Sequence, residues 1–152
     1  MTISDLNERL FFALTEQKKG NYDEASHIAN TVLADLDTLS HSPDEIGTVE
    51  RLRANAFLRL ADTSRLQGMH QASLEMVQRV VALAEEFTLN DILPKAHNLL
   101  GILNKFHGNY DTSLEYYAKA LAGFEKIGVK SSVALVTGNI GQIYSNIGNY
   151  TI

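Results

Sequence analysis

Residues 99–121, LLGILNKFHGNYDTSLEYYAKAL, hold two apolar stretches of helical period on either side of Gly108-Asn109-Tyr110. Glycine followed by asparagine breaks one helix and can start the next, so the segment reads as a helical hairpin. The same punctuation recurs along the chain. Gly20, Gly68, Gly108 and Gly148 each follow a helix-patterned stretch, and each is followed two residues later by a ring, Tyr22, His70, Tyr110 and Tyr150. The intervals are 48, 40 and 40 residues. A second series of small residues, Ala13, Ala61, Gly101 and Gly141, stands seven residues upstream of each turn glycine. A small residue at a fixed place in a helix marks a close passage of another helix, which Gly101 and Gly141 are expected to make. A fixed period of this length signals stacked copies of one supersecondary unit.

Between these marks the pattern is helical. The expected helices cover about 4–18, 22–38, 43–66, 70–87, 92–106, 110–127 and 131–147, as three antiparallel pairs and one unpaired helix. The two prolines both fall at helix starts. Pro43 follows Ser42 and precedes Asp44 and Glu45, an N-cap serine, a proline in the first turn, then acids where the helix dipole favours them. Pro94 lies near the start of the stretch ending at Phe106. Asn21 and Asn109 are placed to cap the helices that follow them, with Glu24 reaching back to Asn21 as in a capping box. Gly128 reads as a helix stop. The eight extra residues between Gly20 and Gly68 fall around Leu39 to Gly47, where a longer loop or a longer third helix absorbs them. Val80-Val81 and Val133 to Val136 are β-branched but lack the sustained alternation of a strand.

The chain has 152 residues, enough for one domain with a core that buries roughly 70% of the unfolded surface. Apolar residues make up 45% and charged residues 20%, which separates it from disordered chains. A net charge of −5 argues against a general nucleic-acid grip, which needs clustered positive charge. The absence of cysteine excludes disulfides, zinc knuckles, iron–sulfur clusters and thiol catalysis. No apolar run approaches the ~20 residues that span a bilayer. Met1 to Arg9 carry Asp5 and Glu8 rather than a basic then apolar pattern, so no signal peptide is visible and a cytoplasmic location is expected.

Catalytic and metal chemistry finds little support in the residues. None of His27, His41, His70, His97 and His107 is paired with another at the i+3 or i+4 spacing that puts two ligands on one helix face. Gly138-Asn139-Ile140-Gly141 superficially resembles a phosphate loop, but no strand precedes it and it falls inside an expected helix. No serine has a neighbouring motif that would activate it. Glu85-Glu86 and Asp44-Glu45 read as solvated helix surface. Phe11-Phe12 and Tyr116-Tyr117 read as core and inter-helix packing. No catalytic, metal or cofactor site is expected.

The repeated residues resemble the tetratricopeptide repeat (TPR) family. Leu100-Gly101, Gly108-Asn109-Tyr110, Tyr116-Tyr117 and Ala120-Leu121 look like that family's small residue, turn glycine and aromatic, and second-helix aromatic with a trailing alanine. Ile140-Gly141, Tyr144 and Gly148-Asn149-Tyr150 match the same columns, as do Gly20, Tyr22 and Ala25, and Ala61, Gly68 and Ala72-Ser73. Departures are His97 and Thr137, where the family often has tryptophan, and Ser73 and Ser113, where it has alanine. The 40-residue unit, against the usual 34, is similar to long-helix repeats of bacterial signalling proteins. The resemblance implies an all-α, right-handed superhelical solenoid of antiparallel helix pairs, with repeats at about 4–40, 43–88 and 92–128 and a truncated fourth at 131–152. On this reading 1–152 is one repeat domain and an excised N-terminal fragment of a longer protein.

The same resemblance implies a non-catalytic module that binds a protein or peptide, acting as the sensory or scaffold input of a larger signalling protein. The concave face would carry Asn55, Leu58, Asp62 and Arg65 in the second repeat. It would continue through Lys95, Asn98, Ile102 and Lys105 in the third, and Asn139, Gln142 and Asn146 in the last helix. Amide side chains suit an extended peptide because they both donate and accept. The alternative is a self-assembly element with no separate ligand. In it, homo-oligomers form through the last helix, whose Ile140, Ile143, Tyr144 and Ile147 would leave an apolar side uncovered, with Leu6, Leu10 and Leu14 as a second route. Neither nucleic acid nor membrane is an expected partner.

Overall fold

The computed structural model describes residues 1–148. Seven α-helices and one short 3-10 turn make up the regular structure of those residues: α1 Ile3–Lys18, α2 Tyr22–Thr38, the 3-10 turn Pro43–Glu45, α3 Ile46–Leu66, α4 His70–Glu86, α5 Leu93–Phe106, α6 Tyr110–Ile127 and α7 Lys130–Gly148. The expected helix bounds hold within one residue apart from the third, where Pro43–Glu45 winds as a 3-10 turn before α3 begins. The eight extra residues are taken up in both ways, by the connection from Leu39 to Ser42 and by the 21 residues of α3. Tyr150 and the rest of the fourth turn lie outside the described residues.

The chain divides into two compact units, Met1–Leu89 and Asn90 onward. In the first, Leu6 and Leu10 of α1, Ala29, Val32 and Leu36 of α2, and Val49, Leu52, Ala56 and Leu60 of α3 form one core. In the second, Tyr117, Ala120 and Phe124 of α6 close on Val136 and Ile143 of α7. Each fully buried Leu or Val of these cores is worth roughly 1.5–3 kcal/mol relative to exposure. Ile143 is therefore not an exposed residue. It is fully buried, and Ile140 and Ile147 lean on the same core, because α7 turns its apolar column onto α6. Leu6 and Leu10 are likewise buried in their own core, whereas Leu14 is half-buried. Phe11 and Phe12 depart the other way: they are 72% and 50% exposed, on the side of α1 turned from α2 and α3.

The turns show why glycine stands where it does. Gly20, Gly68 and Gly108 adopt left-handed φ of 86°, 78° and 78°, which a side chain would strain. The following amide then reaches back across the turn, as in Asn109 N–H to the Asn104 carbonyl at 2.9 Å. Gly128 ends α6 in the same way, with the Val129 amide on the Phe124 carbonyl at 3.1 Å. Gly148 is the last helical residue of α7. Threonine takes the left-handed role at the end of α4, where Thr88 has φ 53° and Leu89 N–H donates to the Ala84 carbonyl at 2.9 Å. Neither Asn21 nor Asn109 caps its helix with its side chain. Asn21 Nδ2 instead donates to Glu16 Oε2 at 2.7 Å, a charge-assisted bond that turns the amide back toward the preceding helix. The caps that do form are Thr2 with Asp5 and Ser42 with Glu45.

The small-residue series splits. Ala13, Ala61 and Gly101 are buried. A Cβ on Gly101 would come within 2.4 Å of Tyr117 Cδ1 and Cε1, so here the helices do cross closely. Gly141 is exposed with nothing within 4 Å of where its Cβ would be, which corrects the expected close crossing. The physical reason is pairing: α6 covers Gly101, whereas no helix of the described residues covers that side of α7. A second close approach, unforeseen in the sequence, joins Gly123 of α6 to Pro94 of α5, where a Cβ would meet Pro94 Cγ at 2.6 Å.

Candidate functional site

In the unit from Asn90 onward, α5 and α7 lie side by side along one polar face. Asn139 Nδ2 donates to Asn98 Oδ1 at 3.1 Å, and Lys105 Nζ donates to Gln142 Oε1 at 2.6 Å. Ile102 stands between Asn98 and Lys105 at the helical i+4 position, half-buried against the core of the unit. Lys95 is exposed one turn before Asn98, and Asn146 is half-buried one turn beyond Gln142. Of the seven residues expected to form a face on these two helices, the structure brings two pairs into contact, Asn98 with Asn139 and Lys105 with Gln142.

The geometry suits an extended chain. Asn98 and Lys105 are seven residues apart, about 10 Å along the helix axis, which matches roughly three residues of an extended peptide. The Asn139–Asn98 bond engages one amide N–H and one amide oxygen. The complementary groups of the pair, Asn98 Nδ2 and Asn139 Oδ1, are a donor and an acceptor of the kind that meet a peptide C=O and N–H. Lys105 adds a positive charge at the end of the row.

The four expected residues of the first unit behave differently. Leu58 is buried, a correction that follows from its apolar side chain being worth more in a core than against solvent. Asp62 and Arg65 are committed to a local network: Arg65 Nη2 donates to Asp62 Oδ1 at 2.8 Å, and Gln17 Nε2 of α1 donates to Asp62 Oδ2 at 2.8 Å. Gln17 Oε1 in turn accepts from Arg59 Nη1 and Thr63 Oγ1, both at 2.9 Å. Burial pushes the Arg59 guanidinium below its ordinary value, and the nearby Asp62 carboxylate opposes that shift. This cluster ties α1 to α3, a role that Gln17, Arg59 and Thr63 did not announce in the sequence because it depends on residues 42 to 46 positions apart. Asn55 is half-buried on α3.

Among the described residues no three His, Cys, Asp or Glu side chains gather where they could hold a metal ion, and no helix is long and apolar enough to cross a membrane.

Residues 52–126 match the family model described as tetratricopeptide repeat. That stretch runs from within α3 to the last turn of α6 and so spans most of two helical hairpins. The fold is all-α, built of TPR-like helix pairs, and such repeats serve in general as protein-interaction modules. Two solved structures align with the chain: the crystal structure of MamA protein, at 18% identity and TM-score 0.40 with 97% of this chain and 96% of that chain covered, and a crystal structure of MamA, at 17% identity and TM-score 0.40 with 91% and 97% covered. No curated protein matches the sequence.

Proposed function

We propose that the chain is a non-catalytic, peptide-binding TPR module, with the α5–α7 face holding an extended segment of a partner protein. The observation that carries this reading is the contact of Asn98 with Asn139 and of Lys105 with Gln142, which lines two neighbouring helices with amides in one row. The setting that fits is the input or scaffold region of a larger cytoplasmic signalling protein. A panel of capped hexapeptides of varied sequence, titrated against the chain by fluorescence polarisation, tests it. Peptides that bind should lose at least about fivefold in affinity in the Asn98→Ala, Asn139→Ala double variant, given two hydrogen bonds of ~0.5–1.5 kcal/mol each. Binding that ignores both amides, or no binding by any peptide, would reject the assignment.

A second reading, self-assembly, is favoured by one observation on α7. Tyr144 is 61% exposed, and Gly141 beside it is open. Forty residues earlier, Leu100 and Gly101 occupy the positions of Ile140 and Gly141, and there α6 buries them. A second copy offering a helix to this side would complete the same packing. Because Ile143 belongs to the core, the informative variant is Tyr144→Glu. Sedimentation over a concentration series should show association that this variant abolishes, and a strictly monomeric chain at high micromolar concentration removes the reading.

A further inference from the structure

The second unit holds a cleft that neither the peptide face nor the family match accounts for. It lies between the start of α5 and the end of α6 and encloses about 260 Å³. Its floor is Leu93, Pro94 and Gly123, where the two helices come closest because glycine leaves room for the proline ring. On α6, Lys119 and Lys126 stand four residues before and three residues after Gly123, so one helical stripe sends an ammonium past each side of the crossing. His97 of α5 closes the cleft opposite them. Tyr116 lies 6.0 Å from His97 between ring centroids and 5.4 Å from Lys119 Nζ, a cation–π distance that holds the lysine over the cleft.

The two formally charged side chains that line the cleft, Lys119 and Lys126, are both positive. No carboxylate lines the cleft, and neither lysine forms an ion pair among the described residues. The surrounding unit carries five Lys against four Asp and Glu from residue 90 onward, a net charge of +1, whereas residues 1–89 carry eight basic and 14 acidic residues, a net charge of −6. An apolar floor flanked by two ammoniums matches a ligand with an anionic head and a short apolar body.

We propose that this cleft binds a small amphiphilic organic anion, a carboxylate or phosphate ester whose head pairs with Lys119 and Lys126 and whose apolar part rests on Leu93, Pro94 and Ile127. The volume admits one small molecule rather than a folded segment. The site shares no residue with the α5–α7 face, so it stands or falls independently of peptide binding.

The test is a titration of the whole chain followed by amide NMR, with hexanoate and phenyl phosphate as probes, hexan-1-ol as the uncharged control and inorganic phosphate as the headgroup-only control. Hexanoate or phenyl phosphate should move the signals around His97, Lys119, Gly123 and Lys126 to saturation, and the preferred head is read from the ratio of their affinities. Hexan-1-ol and inorganic phosphate should each bind at least about tenfold more weakly. The Lys119→Gln, Lys126→Gln variant should weaken the better probe by about tenfold or more, as expected for the loss of hydrogen bonds to charged groups, while far-ultraviolet circular dichroism keeps the helical signal of the parent because both side chains are exposed. Lys18→Gln, a charge change in the first unit, should leave the affinity as it was. Shifts that never saturate, shifts scattered over all lysines, or an affinity untouched by the double variant would overturn the proposal.

Discussion

Gly101 and Gly141 occupy the same column of two successive units, forty residues apart, yet substituting alanine at each should move stability in opposite directions. Inside a helix, replacing glycine by alanine gains about 1 kcal/mol from reduced backbone freedom in the unfolded chain and better helix propensity. At Gly141 the new methyl meets nothing within 4 Å, so the whole gain is kept. At Gly101 the methyl would lie 2.4 Å from two ring carbons of Tyr117, where an ordinary carbon–carbon contact needs about 3.5–4.0 Å. The ring must retreat by more than about 1 Å, and Tyr117 is fully buried among Ala120, Phe124, Val136 and Ile143. Overpacking of that kind costs roughly 1–3 kcal/mol, and a displacement this large belongs near the top of the range. The net expectation is a loss of about 1–2 kcal/mol for Gly101→Ala and a gain of about 1 kcal/mol for Gly141→Ala. For a chain of this size, each kcal/mol moves the melting temperature by roughly 2–4 °C. Thermal unfolding followed by far-ultraviolet circular dichroism at one protein concentration reads both. Equal shifts at the two sites, or a Gly101→Ala protein at least as stable as the parent, would refute the close crossing of α5 and α6.

Thr88→Gly should raise stability by about 0.5–1 kcal/mol, because a β-branched residue at φ 53° is strained and glycine is not; urea unfolding midpoints measure it, and a drop in midpoint would contradict the strain. Ser113→Ala should cost about 0.5–1.5 kcal/mol by removing the 2.6 Å bond from its hydroxyl to the Gly101 carbonyl, a loss that differential scanning calorimetry would register. The carboxyl of Glu45 is held below the ordinary carboxylate range by the Ser42 amide and hydroxyl, as that of Asp5 is by Thr2 and that of Glu16 is by Asn21. A pKa depressed in the folded state contributes stability that is complete above the unfolded value and fades as the pH falls through the folded one. Glu45→Gln should therefore be less stable than the parent at pH 7, and the gap should close below about pH 4. A gap that widens in acid would contradict the direction of the shift.

The helices were legible because their signals are local. Glycine at the turns, proline in the first turn and apolar residues at helical spacing act over a few residues, and six of the seven helices begin and end within one residue of expectation. What the sequence hid depends on geometry across elements. Asn21 has the right spacing to cap α2, but Glu16 is a better partner and sits on the other side of the turn. Gly141 has the right column for a close crossing, yet a column cannot say whether a neighbour is there. Leu58 shares the spacing of the polar face and is buried all the same. The pairing of Asn98 with Asn139 and of Lys105 with Gln142 joins residues that helical spacing had placed in one set. The cleft was not legible, since Pro94, Gly123 and the two lysines become neighbours only when α5 folds back on α6.

The two serines that replace the family's alanine bear on how the chain folds. Ser73 Oγ donates to the Ala61 carbonyl at 2.7 Å, and Ser113 Oγ does the same to Gly101, each across twelve residues and each fully buried. Closing so short a loop costs little entropy, and contacts between near neighbours in sequence form early and fast. Each hairpin thus owns a latch that needs no other part of the chain. The pairs α3–α4 and α5–α6 can each shut before anything more distant is in place, whereas the first pair, with Ala25 in that column, lacks this bond and is joined instead by Arg9 of α1, which pairs with Asp35 and donates to Thr31 Oγ1 at 2.7 Å on α2.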